Sequence, residues 1–137
     1  METDEVVNTI KVSLEFSKNG LVDEVLELHH QDYTRFSDLP PFRLQTRDEA
    51  LKLKLSLMTE LVDFEYWMTE PKVVIMGEVA LAVFTMRYRG MAVNSYAFEG
   101  RMVDAAVRCS VVLKRVGRIW KILHEHVSRV PEGFSAD

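Results

Sequence analysis

Apolar residues recur at three- and four-residue spacing in the N-terminal part of the chain, and beyond Asp63 the period shortens to two. Val6, Val7, Ile10 and Leu14 predict an amphipathic first helix, with Thr3 or Asp4 as N-cap and Asn19-Gly20 as its stop. Leu21, Val25, Leu26 and Leu28 predict a shorter second helix ending near His29-His30, so the two form an αα-hairpin. Asp32 to Asp38 alternates as a short strand and meets Leu39-Pro40-Pro41, where proline offers no N–H to a ladder. Thr46-Arg47-Asp48-Glu49 matches a capping box, and Leu51, Leu55, Met58 and Leu61 or Val62 continue it as a third helix.

The two-residue period then carries six predicted strands: Phe64 to Met68, Lys72 to Met76, Val79 to Arg89, Met91 to Glu99, Val103 to Arg115 and Ile119 to Val130. Turn signals stand at Pro71, Gly77, Gly90, Gly100 and Gly117. Short connections favour an antiparallel meander, and helices followed by strands give an α+β class with the helices on one face of a curved antiparallel sheet. Residues 1–137 read as one domain, with no repeat or linker and a frayed tail from Pro131 to Asp137.

Composition narrows the partners. The formal net charge is -4, and the 17 basic residues are scattered, which argues against nucleic acid. The longest apolar tract, Val73 to Phe84, is broken by Gly77-Glu78 and is too short for a bilayer, so no membrane partner is expected. The single cysteine, Cys109, lies in an apolar strand pattern and reads as a buried free thiol. With an acidic N-terminus that does not resemble a signal peptide, this fits a cytoplasmic location.

Chemistry gathers at the last predicted strand. A strict alternation sends Trp120, Ile122, His124, His126 and Ser128 to one face and Leu123, Glu125 and Val127 to the other. The first face changes from apolar to polar along its length, as a pocket wall does, and Glu125 is expected at a dimer surface or in solvent. His124 and His126 lie within roughly 7 Å of each other on that reading. They can form a ligand-facing wall or a structural hydrogen-bonding pair. A metal would need a third ligand, and His29, His30, Asp32 and Asp38 stand at no diagnostic spacing, so no metal is assigned.

Arg108 lies mid-strand among Val107, Cys109, Val111 and Val112, a costly place for a guanidinium without a carboxylate or ligand anion. It is the leading pocket candidate, against internal pairing with Glu99, Asp104 or Glu125. The Gly117 hairpin sets it across from or diagonal to His126. Arg87 and Arg89 read as solvated. Tyr33, Phe36, Trp67, Phe84, Tyr88, Tyr96 and Phe98 form either core or, on a curled sheet, an aromatic pocket wall. No phosphate loop, dinucleotide glycine motif, Ser-His-Asp order or Cys-x-x-Cys occurs, so no cofactor is expected.

Arg108-Cys109-Ser110-Val111-Val112-Leu113 resembles the Arg-x-Ser/Thr-x-Val strand of one superfamily, and Trp120-Lys121-Ile122-Leu123-His124-Glu125-His126-Val127-Ser128, followed by Pro131, resembles its closing strand. Thr34-Arg35-Phe36-Ser37-Asp38 is similar to its first strand. This superfamily contains nuclear transport factor 2, ketosteroid isomerase and scytalone dehydratase, and the likeness is strongest to SnoaL-like proteins and the association domain of calcium/calmodulin-dependent protein kinase II. The resemblance implies a cone-shaped fold and a homodimer formed through the outer face of the sheet. Ketosteroid isomerase uses a carboxylate base with an oxyanion hole of a tyrosine and a protonated aspartate, and Asp38 is the carboxylate nearest the base position. No spacing here supplies the oxyanion hole, so isomerase activity does not follow from the motif.

The expected function is binding of a small, partly apolar molecule with an anionic or carbonyl group, held by Arg108 and His126 against the aromatic wall. As an enzyme it would abstract a proton next to a carbonyl, in an isomerisation or dehydration, with Asp38 or His124 as base. The alternative is a non-catalytic association module that assembles through its sheet.

Overall fold

The computed structural model describes residues 1–94, 99–131, 133 and 134, with the backbone alone at Thr59, 92–94 and 99–101. Helices α1 (Glu2–Lys18) and α2 (Val22–Leu28) lead into strand β1 (His29–Phe36); β2 (Gln45–Thr46) precedes helix α3 (Arg47–Glu60). Strands β3 (Leu61–Met68), β4 (Lys72–Met76), β5 (Val79–Asn94), β6 (Glu99–Val116) and β7 (Ile119–Arg129) complete the chain. They form one seven-stranded sheet in the order β2-β1-β7-β6-β5-β3, with β4 also on β5. The α+β class stands: three helices pack on a curved, unclosed sheet.

Each helix follows from its apolar stripe. α1 buries Val6, Ile10, Ser13 and Ser17, and Gly20 ends it at φ 67, a left-handed conformation costly for a residue with a side chain. α3 buries Ala50, Leu51, Lys54 and Met58 along one face, so a lysine interrupts the stripe. Arg47 donates to the Leu26 carbonyl at 2.9 Å, joining the start of α3 to the end of α2.

Four expectations are corrected. Met1, not Thr3 or Asp4, is the N-cap position of α1. Thr46 caps α3 by position but its side chain makes no cap bond, and the Glu49 carboxylate that would reach back to the Thr46 N–H is instead taken by Arg43 at 2.5 and 2.9 Å. Gly90 is no turn: β5 runs through it, and a Cβ there would come within 3.2 Å of the Leu61 Cβ, so the glycine admits the start of β3. Met91 to Asn94 therefore belong to β5 and Glu99 begins β6, while 95–98 lie outside the described residues. Finally, the sheet is mixed, since β1 joins β7 in parallel while every other pairing is antiparallel.

The hairpins β4–β5 and β6–β7 turn on Gly77 and Gly117 at φ 61 and 64, as tight two-residue loops require. Buried side chains divide into two clusters. One gathers Val6, Ile10, Tyr33, Leu51, Leu113 and Trp120 under α1 and α3. The other gathers Met58, Leu61, Phe64, Tyr88, Val107 and Val127 toward the opposite end. Between them a cavity remains.

Candidate functional site

A β-bulge decides which residues face that cavity. Leu113 pairs with Ile122 but Val112 pairs with His124, so Leu123 is an extra residue and the alternation of β7 inverts after it. Trp120 and Ile122 point inward, as expected. Beyond the bulge, Glu125 pairs with Val111 and Val127 with Cys109, all four lining the cavity. His124 and His126, paired with Val112 and Ser110, face outward instead.

The cavity measures about 280 Å³ and lies between α1, α3 and the concave face of the sheet. Ile10, Leu14, Leu57, Phe64, Phe84 and Met86 give it apolar walls. Its floor is charged: Arg35 and Glu125, register partners across the parallel β1–β7 ladder, are joined by Lys54 from α3. Glu125 Oε1 accepts from the Tyr33 hydroxyl at 2.6 Å and from Lys54 Nζ at 3.3 Å, and His29 Nε2 lies 3.7 Å away. The side chains of Lys54 and Glu125 are only 8% and 13% exposed, so their pairing is screened little by water.

Burial raises the cost of each charge on this floor, and the partners decide the outcome. For Glu125, burial pushes the carboxyl up, but Lys54, then His29 and Arg35, outweigh it and hold the group well below the usual carboxylate range. For Lys54, burial prevails over Glu125 and brings the ammonium below its ordinary value, with Arg35 adding to the fall. Burial likewise lowers His29. Tyr33 is pushed well up by burial and by the adjoining Glu125. Burial opposes the charge of Arg35, but Tyr33, Glu125 and Asp38 more than offset it.

His29 and Arg35 are incompletely satisfied. His29 Nδ1 lies 2.6 Å from the Val25 carbonyl, which can only accept, so the ring hydrogen of the neutral imidazole is on Nδ1. Its Nε2 then carries a lone pair, is buried, and has no hydrogen-bond partner. Arg35 Nε is also buried without a partner, and no ion pair within 4 Å includes Arg35 among the described residues. Arg35 and Lys54 face one floor carboxylate, Glu125, so the floor carries a surplus positive charge.

A second polar station stands at the mouth. Asp38, with a side chain 4% exposed, accepts through Oδ2 from the Tyr88 hydroxyl at 2.9 Å and from Arg129 at 3.1 Å. Burial and the Asp38 charge push the Tyr88 hydroxyl up to about 12, so it remains a donor at neutral pH. Cys109, in the wall between the stations, is a buried free thiol pushed up to about 12 by burial.

The structure thus divides the residues expected to form a pocket. Asp38 and Tyr88 line the cavity. Tyr33 lies behind its floor, buried and bound to Glu125. Arg108 is on the outer face, donating to Ser128 at 3.2 Å; it pairs with Ser128, diagonal to His126, and takes none of the expected carboxylates. Asp104 binds Arg87 at 2.8 Å and Glu125 binds Lys54, while the Glu99 side chain is outside the described residues. His126 and Phe36 also lie outside, their rings 5.3 Å apart, and His124 meets Thr34 Oγ1 at 2.8 Å there. Trp67 is 48% exposed beneath Arg89. Tyr96 and Phe98 lie outside the described residues.

Arg108, His124 and His126 are therefore corrected from pocket wall to outer surface, and Glu125 from surface to cavity floor; the single residue inserted at Leu123 reverses the three β7 residues, while Arg108 faces outward by the regular alternation of β6, between the inward Val107 and Cys109. Lys54 was legible, since it lies three residues after Leu51 and four before Met58 on the apolar stripe. Arg35 shares the inward parity of Tyr33 two residues earlier. Among the described residues, no three His, Cys, Asp or Glu side chains gather as a metal site, and no helix is long and apolar enough to cross a membrane.

The model of the SnoaL-like domain matches residues 6–132. The chain belongs to the SnoaL-like family. Among solved structures, this SnoaL-like chain is similar to a candidate dehydratase of the nuclear transport factor 2-like family from Streptomyces avermitilis, at TM-score 0.79 and 17% identity over 94% of this chain and 97% of that one. It is similar to a ketosteroid isomerase-like protein from Erwinia carotovora atroseptica, at TM-score 0.72 and 16% identity over 96% and 98%. The calcium/calmodulin-dependent protein kinase II hub homology domain of Chlamydomonas reinhardtii aligns at TM-score 0.75 and 17% identity over 96% and 100%. At these identities the likeness shows the fold alone. No curated protein matches the chain.

Proposed function

We propose that this SnoaL-like protein binds a small, partly apolar molecule bearing an anionic or carbonyl group, in the cavity between the helices and the sheet. The observation that carries this reading is the pair of cations, half-buried Arg35 and buried Lys54, facing a cavity of about 280 Å³ whose floor has one carboxylate between them. A cation in an apolar chamber is costly unless an anion or a strong acceptor meets it. A ligand carboxylate or carbonyl oxygen would meet this surplus, while its apolar body would lie against Phe64, Phe84 and Met86.

Proton abstraction next to a carbonyl suits the same arrangement, with Asp38 as base. Its Oδ2 is held by Tyr88 and Arg129, while Oδ1 has no hydrogen bond among the described residues. The test is native mass spectrometry of protein purified from cells. Retained small-molecule mass in the wild type, lost in Arg35→Met, supports the reading; wild-type protein free of ligand that also takes up no carboxylate or carbonyl probes contradicts it.

A second reading, assembly through the sheet, rests on the outer face. Val74, Leu81 and Val83 are 47%, 41% and 36% exposed, and their register rows continue to Val112 and Ser110, then to His124 and His126. A homodimer through this face is expected to dissociate in Leu81→Asp, read by sedimentation; a wild-type monomer would exclude it.

A further inference from the structure

We infer that Lys54 is a carbonyl-capturing nucleophile, forming an imine with an aldehyde or ketone ligand in the cavity while Glu125 and His29 hold the displaced proton. This rests on the ligand-binding reading above and adds a covalent step to it.

Three observations lead there. First, among the described residues Lys54 is the one lysine that lines the cavity; it is nearly buried there, in a wall it shares with Leu53, Leu57 and Phe64. Lysines desolvated in apolar pockets supply the neutral amine that attacks carbonyl carbon. Burial favours that neutral form. Second, structure alone gives little reason for the pair, because well-packed apolar side chains commonly replace a buried ion pair without loss of stability. Third, a proton acceptor is already in place. Glu125 Oε1 lies 3.3 Å from Lys54 Nζ and 3.7 Å from His29 Nε2, and that nitrogen carries a buried, unpartnered lone pair. Protonated, His29 would donate to the Val25 carbonyl through Nδ1 and face the Glu125 carboxylate through Nε2. The groups around this route are Tyr33 and Arg35 from β1, Lys54 from α3, Cys109 from β6 and Glu125 from β7, with Asp38 beyond Arg35.

The step balances without oxidant or reductant. The Lys54 ammonium passes one proton through Glu125 to His29 and becomes an amine. The amine nitrogen bonds the carbonyl carbon, and proton transfer from nitrogen to oxygen gives a neutral carbinolamine. Its hydroxyl leaves as water, taking the proton held by His29, as the nitrogen lone pair forms the C=N bond. The product is a protonated imine with the single positive charge that Lys54 began with, still beside Glu125.

The test treats the full chain with benzaldehyde and sodium cyanoborohydride, which reduces the imine to a stable benzyl adduct, and maps the adduct by peptide mass spectrometry. Lys54 is expected to be labelled about tenfold or more in preference to each of Lys11, Lys18, Lys52, Lys72, Lys114 and Lys121, because its amine is the most buried and, unlike theirs, lines the cavity. The adduct at position 54 disappears in Lys54→Arg, which keeps the charge. In His29→Gln, trapping slows and its pH profile loses one inflection; an unchanged rate and profile would overturn the proton route.

Benzoate, which carries the anionic group of the binding reading but cannot condense with the amine, separates the two readings through the methyl signals of Met58 and Met86. If these shift while benzaldehyde labels all lysines alike, the imine is refuted and the binding cavity stands. If neither compound moves them and Lys54 is unlabelled, both fail.

Discussion

Glu125 and His126 are neighbours in the chain, yet they lie on opposite sides of one sheet in different physical regimes. Glu125 is nearly buried, with Tyr33, Lys54 and His29 within 2.6, 3.3 and 3.7 Å. Water screens little there, and a missing partner leaves a charge uncompensated. On the outer face His124 meets Thr34, Arg108 donates to Ser128 and the His126 ring lies against Phe36, where solvent can replace the polar contacts. The difference teaches that residue type alone does not identify a site: the same strand offers two polar clusters, and only enclosure makes one of them energetically demanding.

Breaking the inner cluster should have the largest effect. Glu125→Leu removes the carboxylate between Lys54 and Arg35 and is expected to cost about 3–5 kcal/mol in urea unfolding, the range for a buried pair losing one member. Adding Lys54→Met should recover most of that loss. A Glu125→Leu protein as stable as the wild type would place the carboxylate in solvent.

Acid should sharpen the comparison. His29 is lowered from 6.5, so the folded state binds fewer protons than the unfolded one, and stability falls as pH drops below 6.5 toward the folded value. Glu125 is held below 4.5; its contribution is fully present above 4.5 and is lost as pH falls through its folded value. Urea midpoints measured from pH 7 downward should therefore fall in two stages, the first absent in His29→Gln and the second in Glu125→Leu. A flat profile through both windows would contradict the burial of these groups.

Arg35→Met is expected to weaken a small carboxylate probe by about tenfold or more, the loss of one charge-assisted contact, with little change in fold. Calorimetric titration reads it, and unchanged affinity would remove Arg35 from the site. The smallest effect is expected outside: His126→Ala should stay within about 0.5 kcal/mol of the wild type and leave probe affinity unchanged. A binding loss there would reverse the assignment of the two faces.

Much of the fold was legible because it depends on period. The stripes of α1 and α3 and the glycine turns at Gly77 and Gly117 follow from local spacing. So does the resemblance carried by Arg108 to Leu113 and Trp120 to Ser128. Parity was not legible beyond a bulge. Ile122-Leu123 reads as two apolar residues in either register, and only the pairing of Val112 with His124 reveals the inserted residue. The parallel pairing of β1 with β7 is a tertiary contact with no local signal, yet it brings Arg35 beside Glu125. Asp38 and Tyr88 were legible as candidates individually; their hydrogen bond spans fifty residues of chain and required the folded sheet.

The measurement that bears most directly on the inner cluster is ligand retention in two variants purified side by side from cells, Arg35→Met and Arg108→Ala, compared with wild type by native mass spectrometry. The inward cavity predicts that wild type and Arg108→Ala carry the same bound mass and that Arg35→Met has lost it. Bound mass kept in Arg35→Met and lost in Arg108→Ala would contradict it.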